Sequence, residues 1–141
     1  MASDPVEQAE GLLREALTVL RAAAGTDASD DDLVAVLRVQ AAVERELQRV
    51  AVDTVAALQR RGTFAERGQR PETALADLWG VERVEARRVV LAAEQVSPRV
   101  DLQGQVLPAR LPATAAAFAA GAASVRHVEV VARLLGGPTA E

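Results

Sequence analysis

The chain has 141 residues, half of them apolar and 26% charged, a balance typical of one folded domain and not of a disordered chain. It contains no cysteine, which excludes disulfides and thiolate chemistry, and its formal net charge is −4. The acidic N-terminal segment is unlike a signal peptide, and no apolar run approaches the roughly 20 residues that span a bilayer. The sequence therefore predicts a soluble, cytoplasmic protein that contacts no membrane and needs no cofactor.

The first predicted helix begins just after Asp4. Pro5 suits the first helical position, and Glu7 lies three residues after Asp4, the spacing of a capping box. Apolar residues then recur at helical spacing until Gly25, where the helix should end. These apolar residues are Leu12, Leu13, Ala16, Leu17 and Leu20.

A second, much longer helix is predicted from about Asp31 to Arg61. Ser29 or Asp30 can cap its start, and Gly62 follows its last turn. At ~1.5 Å per residue this helix is about 45 Å long, more than the width of a domain of this size. Something must therefore cover it.

Valines recur every seven residues along the long helix, at Val36, Val43 and Val50, and Leu47 lies between them. A seven-residue repeat with β-branched side chains is typical of a two-stranded coiled coil, so these four residues are the candidate contacts of a homodimer. The alternative is that the first helix simply folds back on the long helix within one chain. In either case residues 1–62 are predicted to form a helical hairpin.

A break in the sequence "RGTFAERGQRPE" separates the hairpin from residues 63–141, which we expect to join it in one compact domain. The pattern of a helix-turn-helix follows. Thr73 can cap a short helix, and Gly80 lies four residues after Ala76, where the turn needs a left-handed residue. Val81 is then the buried residue of the turn.

The second helix of this unit is predicted from about Glu82 to Gln95. Its arginines could contact bases or phosphates from the major groove, and those of the preceding loop could contact phosphates. The candidate DNA-binding residues are Arg83, Arg87, Arg88, Arg67 and Arg70. Glu82 and Glu85 would repel phosphate, and the alternative is a helix-turn-helix that serves packing only, with a solvated face of mixed charge.

The last segment repeats this pattern after a linker. Ala117 precedes Gly121 by four residues, and Ser124 can cap a final helix that Gly136 would end. His127 is the only histidine, and without cysteine or a second histidine we interpret it as structural and not as a metal ligand. The predicted fold is all-α, a hairpin followed by two helix-turn-helix-like units, and no catalytic or metal site is found.

Several phrases of the sequence resemble one known family. They are a glycine before a helix with "EAR" and "LA", an "LP-x-T-x-x-A-x-x-x-G" run, and "S-x-x-H" at the start of the next helix. They correspond to Gly80, Glu85–Arg87, Leu91–Ala92, Leu111–Gly121 and Ser124–His127. The chain thus resembles the actinobacterial family of unknown function found in front of HNH endonuclease domains, also called the thirteen-E-twelve repeat family.

The resemblance implies context and no catalytic residues, because the nuclease motif of such proteins would lie downstream of Glu141. We therefore expect a non-catalytic module that binds or targets duplex DNA and is dimeric. The alternative is a helical self-association or protein-interaction module without nucleic-acid contact. The distribution of charge favours DNA, since arginines outnumber carboxylates between Arg60 and Arg110 although the whole chain is acidic.

Overall fold

The computed structural model of the chain describes residues 4–135, and these are almost entirely helical. The elements are α1 (Pro5–Ala23), α2 (Asp30–Arg60), α3 (Thr63–Glu66), α4 (Pro71–Trp79), α5 (Arg83–Val96), β1 (Arg99–Val100), β2 (Val106–Leu107), α6 (Pro112–Ala119) and α7 (Val125–Leu135). The predicted all-α class is confirmed. Within the described range, no helix is long and apolar enough to cross a membrane. The predicted stop at Gly136 lies outside the described residues.

The starts of the two long helices are capped by side chains. Asp4 Oδ1 accepts a hydrogen bond from the Val6 N–H at 2.9 Å, as the sequence predicts. At α2, Ser29 Oγ accepts from the Asp32 N–H and Asp32 Oδ2 accepts from the Ser29 N–H, both at 3.1 Å. The hydrogen bond from the Ser29 backbone holds the pKa of Asp32 below its usual value. Of the two predicted caps of α2, Ser29 is the one used.

The chain divides into two compact units, Met1–Val43 and Glu44–Glu141, and α2 runs through both. The first unit buries very little: α1 has no buried residue, and Leu12, Leu13 and Leu17 on it are exposed. A 19-residue amphipathic helix normally packs its apolar stripe against another surface. In α1, by contrast, these leucines of the stripe face solvent.

The second unit contains the hydrophobic core. Its centre is α5, which packs against α4, α6 and α7. Ala86 and Ala92 on α5 are completely buried, and such small side chains allow neighbouring helices to approach closely. The end of α2 contributes Val52, and α7 contributes Val128, both also inaccessible to solvent. α5 thus contacts three helices through its buried residues and keeps one face exposed.

The connection between α5 and α6, which the sequence suggested was a linker, forms a small antiparallel hairpin of β1 and β2. Asp101 Oδ1 organises its turn by accepting hydrogen bonds from the backbone N–H groups of Gln103 at 2.9 Å and Gln105 at 2.8 Å. Gly104 adopts a φ of 83° there, a conformation that favours glycine. The hairpin thus arises from local turn chemistry and not from strand propensity.

Candidate nucleic-acid interface and its charged cluster

The turn between α4 and α5 has the left-handed glycine and the partly buried valine that the sequence predicts for a helix-turn-helix. Gly80 is left-handed, with a φ of 65°, and the Val81 N–H donates to the Ala76 carbonyl oxygen at 3.1 Å. Val81 is half-buried and packs against the core, and Ala86 is completely buried. The start of α5 is therefore packed against the end of α4.

Arg83 and Arg87 lie in the first two turns of α5 and are exposed. Four residues apart, they occupy the same face of the helix. Neither forms an ion pair or a side-chain hydrogen bond with any residue in the described part of the chain. Glu82 and Glu85 are exposed nearby in sequence and reduce the positive potential. Two guanidinium groups on one face thus remain available to an external anion.

Arg88 does not share that face. Its Nε lies 2.9 Å from Oε2 of Glu129 on α7, close enough for an ion pair, although the N–H does not point at the oxygen as a hydrogen bond requires. Its side chain is only 33% exposed. The expectation that Arg88 is displayed outward with Arg83 and Arg87 is wrong, because one residue further along a helix is about 100° further around it.

Glu129 is the centre of a cluster of charges. Its side chain is 7% exposed, and besides Arg88 it contacts Arg126 Nη1 at 3.0 Å through Oε2 and Arg133 Nη2 at 2.8 Å through Oε1. Burial acts to raise the pKa of this carboxyl, but the positive charges of Arg133, Arg88 and Arg126 outweigh it and hold the pKa below its usual value. Three guanidinium groups around one carboxylate leave the cluster positive.

None of the sequence predictions included this cluster, although α7 carried a signal for part of it. Glu129 follows Arg126 by three residues and precedes Arg133 by four, the spacings at which helical side chains meet. No local pattern points to Arg88, which belongs to another helix. The cluster as a whole depends on how α5 and α7 pack.

Arg67 and Arg70 are exposed and, within the described residues, have no ion pair. Arg67 ends α3, and Arg70 immediately precedes α4. Arg70 and Arg83 therefore flank opposite ends of α4, whose nine residues span roughly 13 Å. No contact in the described structure brings the two loop arginines together with those of α5.

A cavity of about 310 Å³ opens between the α4–α5 turn, α5, α7 and α2. Among the residues that line it, the aromatic and polar ones are Trp79, Glu85, Arg88, Arg126 and Gln48. Trp79 is 40% exposed, and Gln48 Oε1 accepts a hydrogen bond from the N–H of Val125, the first residue of α7, at 3.2 Å. We call this cavity the Trp79 cleft. An aromatic residue and two arginines of the Glu129 cluster thus line the same cavity.

His127 belongs to the cap of α7. Ser124 Oγ accepts a hydrogen bond from the His127 N–H at 3.2 Å, and His127 Nδ1 lies 3.4 Å from the Ser124 backbone nitrogen. This is a capping box in which an imidazole takes the place of the usual carboxylate or amide. Within residues 4–135, no group of histidine, cysteine, aspartate and glutamate side chains could hold a metal ion.

The candidate dimer contacts lie along one face of α2. Val36 is half-buried, whereas Val43, Leu47 and Val50 are 40%, 49% and 61% exposed. Val52 is two residues beyond Val50, about 200° around the helix, and it is completely buried. The core of the second unit thus uses the opposite side of α2, and Val43, Leu47 and Val50 face solvent.

Comparison with known proteins identifies one family. The sequence model of the family described as "Domain of unknown function (DUF222)" matches residues 34–139, well over half of the chain. The matched region begins in α2 and includes the helix-turn-helix, the Trp79 cleft and the Glu129 cluster. No curated protein matches the chain, and no solved structure does.

Proposed function

The chain belongs to DUF222, a family of domains of unknown function, and on this premise we propose that it is a non-catalytic module that binds duplex DNA. One observation carries the proposal: Arg83 and Arg87 share an exposed face at the start of the second helix of a helix-turn-helix and have no partner among the described residues. We also propose a cytoplasmic location. A further part of the proposal is an association with HNH nuclease domains, and this part rests on the resemblance in sequence.

The contact should be weak and sensitive to salt. Two arginines on α5 can neutralise about two phosphates, and each neutralised phosphate contributes about −0.9 to the slope of log K against log salt concentration. Glu82 directly precedes Arg83 and repels phosphate, whereas Glu85 lies about 200° around α5 from both arginines, in the wall of the Trp79 cleft, and opposes phosphate from a greater distance. Arg67 and Arg70, at the other end of α4, can contact phosphates only if the duplex runs past both ends of that helix.

The test is a gel-shift titration of a labelled duplex at several salt concentrations. We expect Arg83→Ala with Arg87→Ala to weaken binding about tenfold and to flatten the salt slope by about two. The matched control is Arg38→Ala with Arg45→Ala, which removes the same charge from exposed positions of α2. Equal losses in both double variants, or no binding by the parent chain at low salt, would refute duplex binding. Arg88 is left intact in these variants because it holds Glu129.

A second candidate function, self-association, is favoured by the first unit and by α2. Nothing in α1 is buried, and the stripe formed by Val43, Leu47 and Val50 is exposed on α2. Burying apolar surface stabilises an association by about 25 cal/mol per Å², so such helices gain by pairing. The seven-residue spacing fits a second copy of the same helix as the partner. This candidate does not conflict with DNA binding, since the two involve different surfaces.

A further inference from the structure

We propose that the Trp79 cleft binds a nucleobase together with its phosphate, either in a free nucleotide or in an unpaired stretch of nucleic acid. This proposal goes beyond duplex binding and does not depend on it. Arg83 and Arg87 do not line the cleft, whereas Glu85, Arg88 and Val89 do, so α5 presents different faces to the two ligands.

The aromatic part of the argument is Trp79. It is the only tryptophan of the chain, and aromatic residues make up 2% of the composition, so an exposed indole at a cavity is unusual here. Trp79 lies at the end of α4, does not belong to the buried core cluster and is 40% exposed. Nucleobases stack on such rings whatever their sequence, because every base has a π-face. The Trp79 ring therefore offers a platform for one base.

The phosphate would be held by Arg88 and Arg126. Both guanidinium groups approach the same oxygen of Glu129, Oε2, at 2.9 and 3.0 Å, which fixes them beside each other at the cleft. Like charges so close repel, and the single carboxylate cannot neutralise them together with Arg133. An anion bound between the two arginines would relieve this repulsion. The start of α7 at the same cavity adds the positive end of a helix dipole.

The size and the one opposing charge define the ligand further. A volume of about 310 Å³ is at the lower end of the roughly 300–1,000 Å³ of small-molecule sites. It suits one base with its phosphate better than a larger cofactor. Glu85 also lines the cleft and disfavours ligands that carry several negative charges. We therefore expect a nucleoside monophosphate unit and not a triphosphate.

The fluorescence of Trp79 reports directly on this site, because no other tryptophan contributes. The full chain would be titrated at low salt with thymidine monophosphate, thymidine, inorganic phosphate, an oligothymidine single strand and the same oligomer in duplex. We expect saturable quenching by the monophosphate or by the single strand, and much weaker quenching by thymidine. If the monophosphate binds, a free nucleotide is enough to fill the cleft. If only the single strand binds, the ligand is an unpaired stretch of nucleic acid.

Two arginines provide a matched pair of variants. Arg126→Gln and Arg133→Gln each remove one charge and one contact of Glu129, but only Arg126 lines the cleft. We expect Arg126→Gln to weaken binding about tenfold and Arg133→Gln to change it less than about twofold. Glu85→Gln should strengthen binding about two- to fivefold. Calorimetry with Trp79→Phe, which keeps a stacking surface, should retain binding that Trp79→Ala loses by about tenfold or more.

Each of the following results would overturn the proposal. Quenching by the duplex as strong as by the single strand would mean that no base enters the cleft. If inorganic phosphate displaces thymidine monophosphate at the concentrations at which the monophosphate itself binds, the base contributes nothing and the cleft is only an anion site. Equal effects of Arg126→Gln and Arg133→Gln, with melting curves showing both variants folded, would place binding elsewhere. By contrast, we expect the Arg83 and Arg87 double variant to lose duplex binding and to keep all these readouts, so a failure of duplex binding can be told apart from a failure of this proposal.

Discussion

Arg88 and Glu129 join two helices through a contact of 2.9 Å between Nε and Oε2. The carboxylate is almost completely buried, and Arg126 and Arg133 approach it from its own helix. A buried carboxylate is tolerated only where positive charges or hydrogen bonds compensate for its lost hydration. The contact therefore fixes α7 against α5, and it assigns Arg88 to the structure of the protein and to the wall of the Trp79 cleft.

We first predict that Glu129→Ala lowers the melting temperature strongly, by roughly 5–10 °C. The reason is that three arginines then repel one another without a counter-charge. Glu10→Ala is the control, since it removes a carboxylate from the exposed pair with Arg14 on α1 and should have almost no effect. Thermal melts followed by circular dichroism measure both. Similar small shifts in the two variants would show that the Glu129 cluster contributes little to stability.

The second prediction concerns pH. The pKa of Glu129 is lower in the folded chain than its ordinary value of 4.5, so the folded state favours the ionised form. Its contribution to stability is therefore present above the unfolded-state pKa and is lost as the pH falls through the folded-state pKa. Asp32 behaves in the same way at the start of α2.

The contribution of Glu129 is isolated by comparison with Glu129→Gln, which keeps the shape of the side chain. The difference in melting temperature between the parent and this variant should be largest near neutral pH and should shrink as the pH falls below about 4.5. Asp32→Asn provides the corresponding difference for the capping box of α2. A difference for Glu129→Gln that stays constant down to about pH 2 would contradict the assigned pKa shift.

Local signals in the sequence were enough to predict the longer helices and the turn between α4 and α5, but not the four-residue α3, which lies in the segment predicted as a break. Gly80 and Val81 could be placed because a left-handed residue and a buried residue must occupy fixed positions in such a turn. Ser29 could be named as one of two candidate caps of α2 because its hydroxyl can accept a hydrogen bond from a backbone N–H of the first turn. These features depend on residues within one or two turns of each other, so their chemistry is visible along the chain.

The features that were missed are those that depend on packing between distant segments. Arg88 was predicted to point outward with Arg83 and Arg87 because its partner, Glu129, belongs to another helix and could not be foreseen. The Trp79 cleft is lined by side chains from α2, the α4–α5 turn, α5 and α7, and no spacing of residues along the sequence predicts it. Turn signals at Asp101 and Gly104 were available for the β-hairpin, but strands of two residues carry too little pattern to be predicted.

A third prediction is that His127 contributes to stability and not to catalysis. Ser124→Ala should destabilise the chain by about 1 kcal/mol because it removes the cap of α7, and His127→Ala by less. Purified chain incubated with DNA and Mg²⁺ or Mn²⁺ should leave the DNA intact. Metal-dependent cleavage that disappears in a folded His127→Ala variant would contradict the expectation that His127 has no catalytic role and would make the chain a nuclease.

The last prediction is that the chain forms a homodimer through the exposed stripe of α2. A valine on the opposite face of the same helix provides the control. Val43 and Val34 are nine residues apart, about 180° around α2, and they are similarly exposed at 40% and 46%. Val43→Glu would place a charge in the dimer seam, whereas Val34→Glu makes the same substitution on the opposite face.

We expect sedimentation velocity at tens of micromolar to show a dimer for the parent and for Val34→Glu. Val43→Glu should weaken the dimer at least about tenfold, because a carboxylate would be buried without a partner. Adding Val50→Glu, one heptad further along, should leave only monomer. A parent chain that is monomeric would refute self-association. If both single variants dissociate equally, or neither does, the seam does not lie along Val36, Val43, Leu47 and Val50, and the exposed stripe of α1 becomes the surface to test.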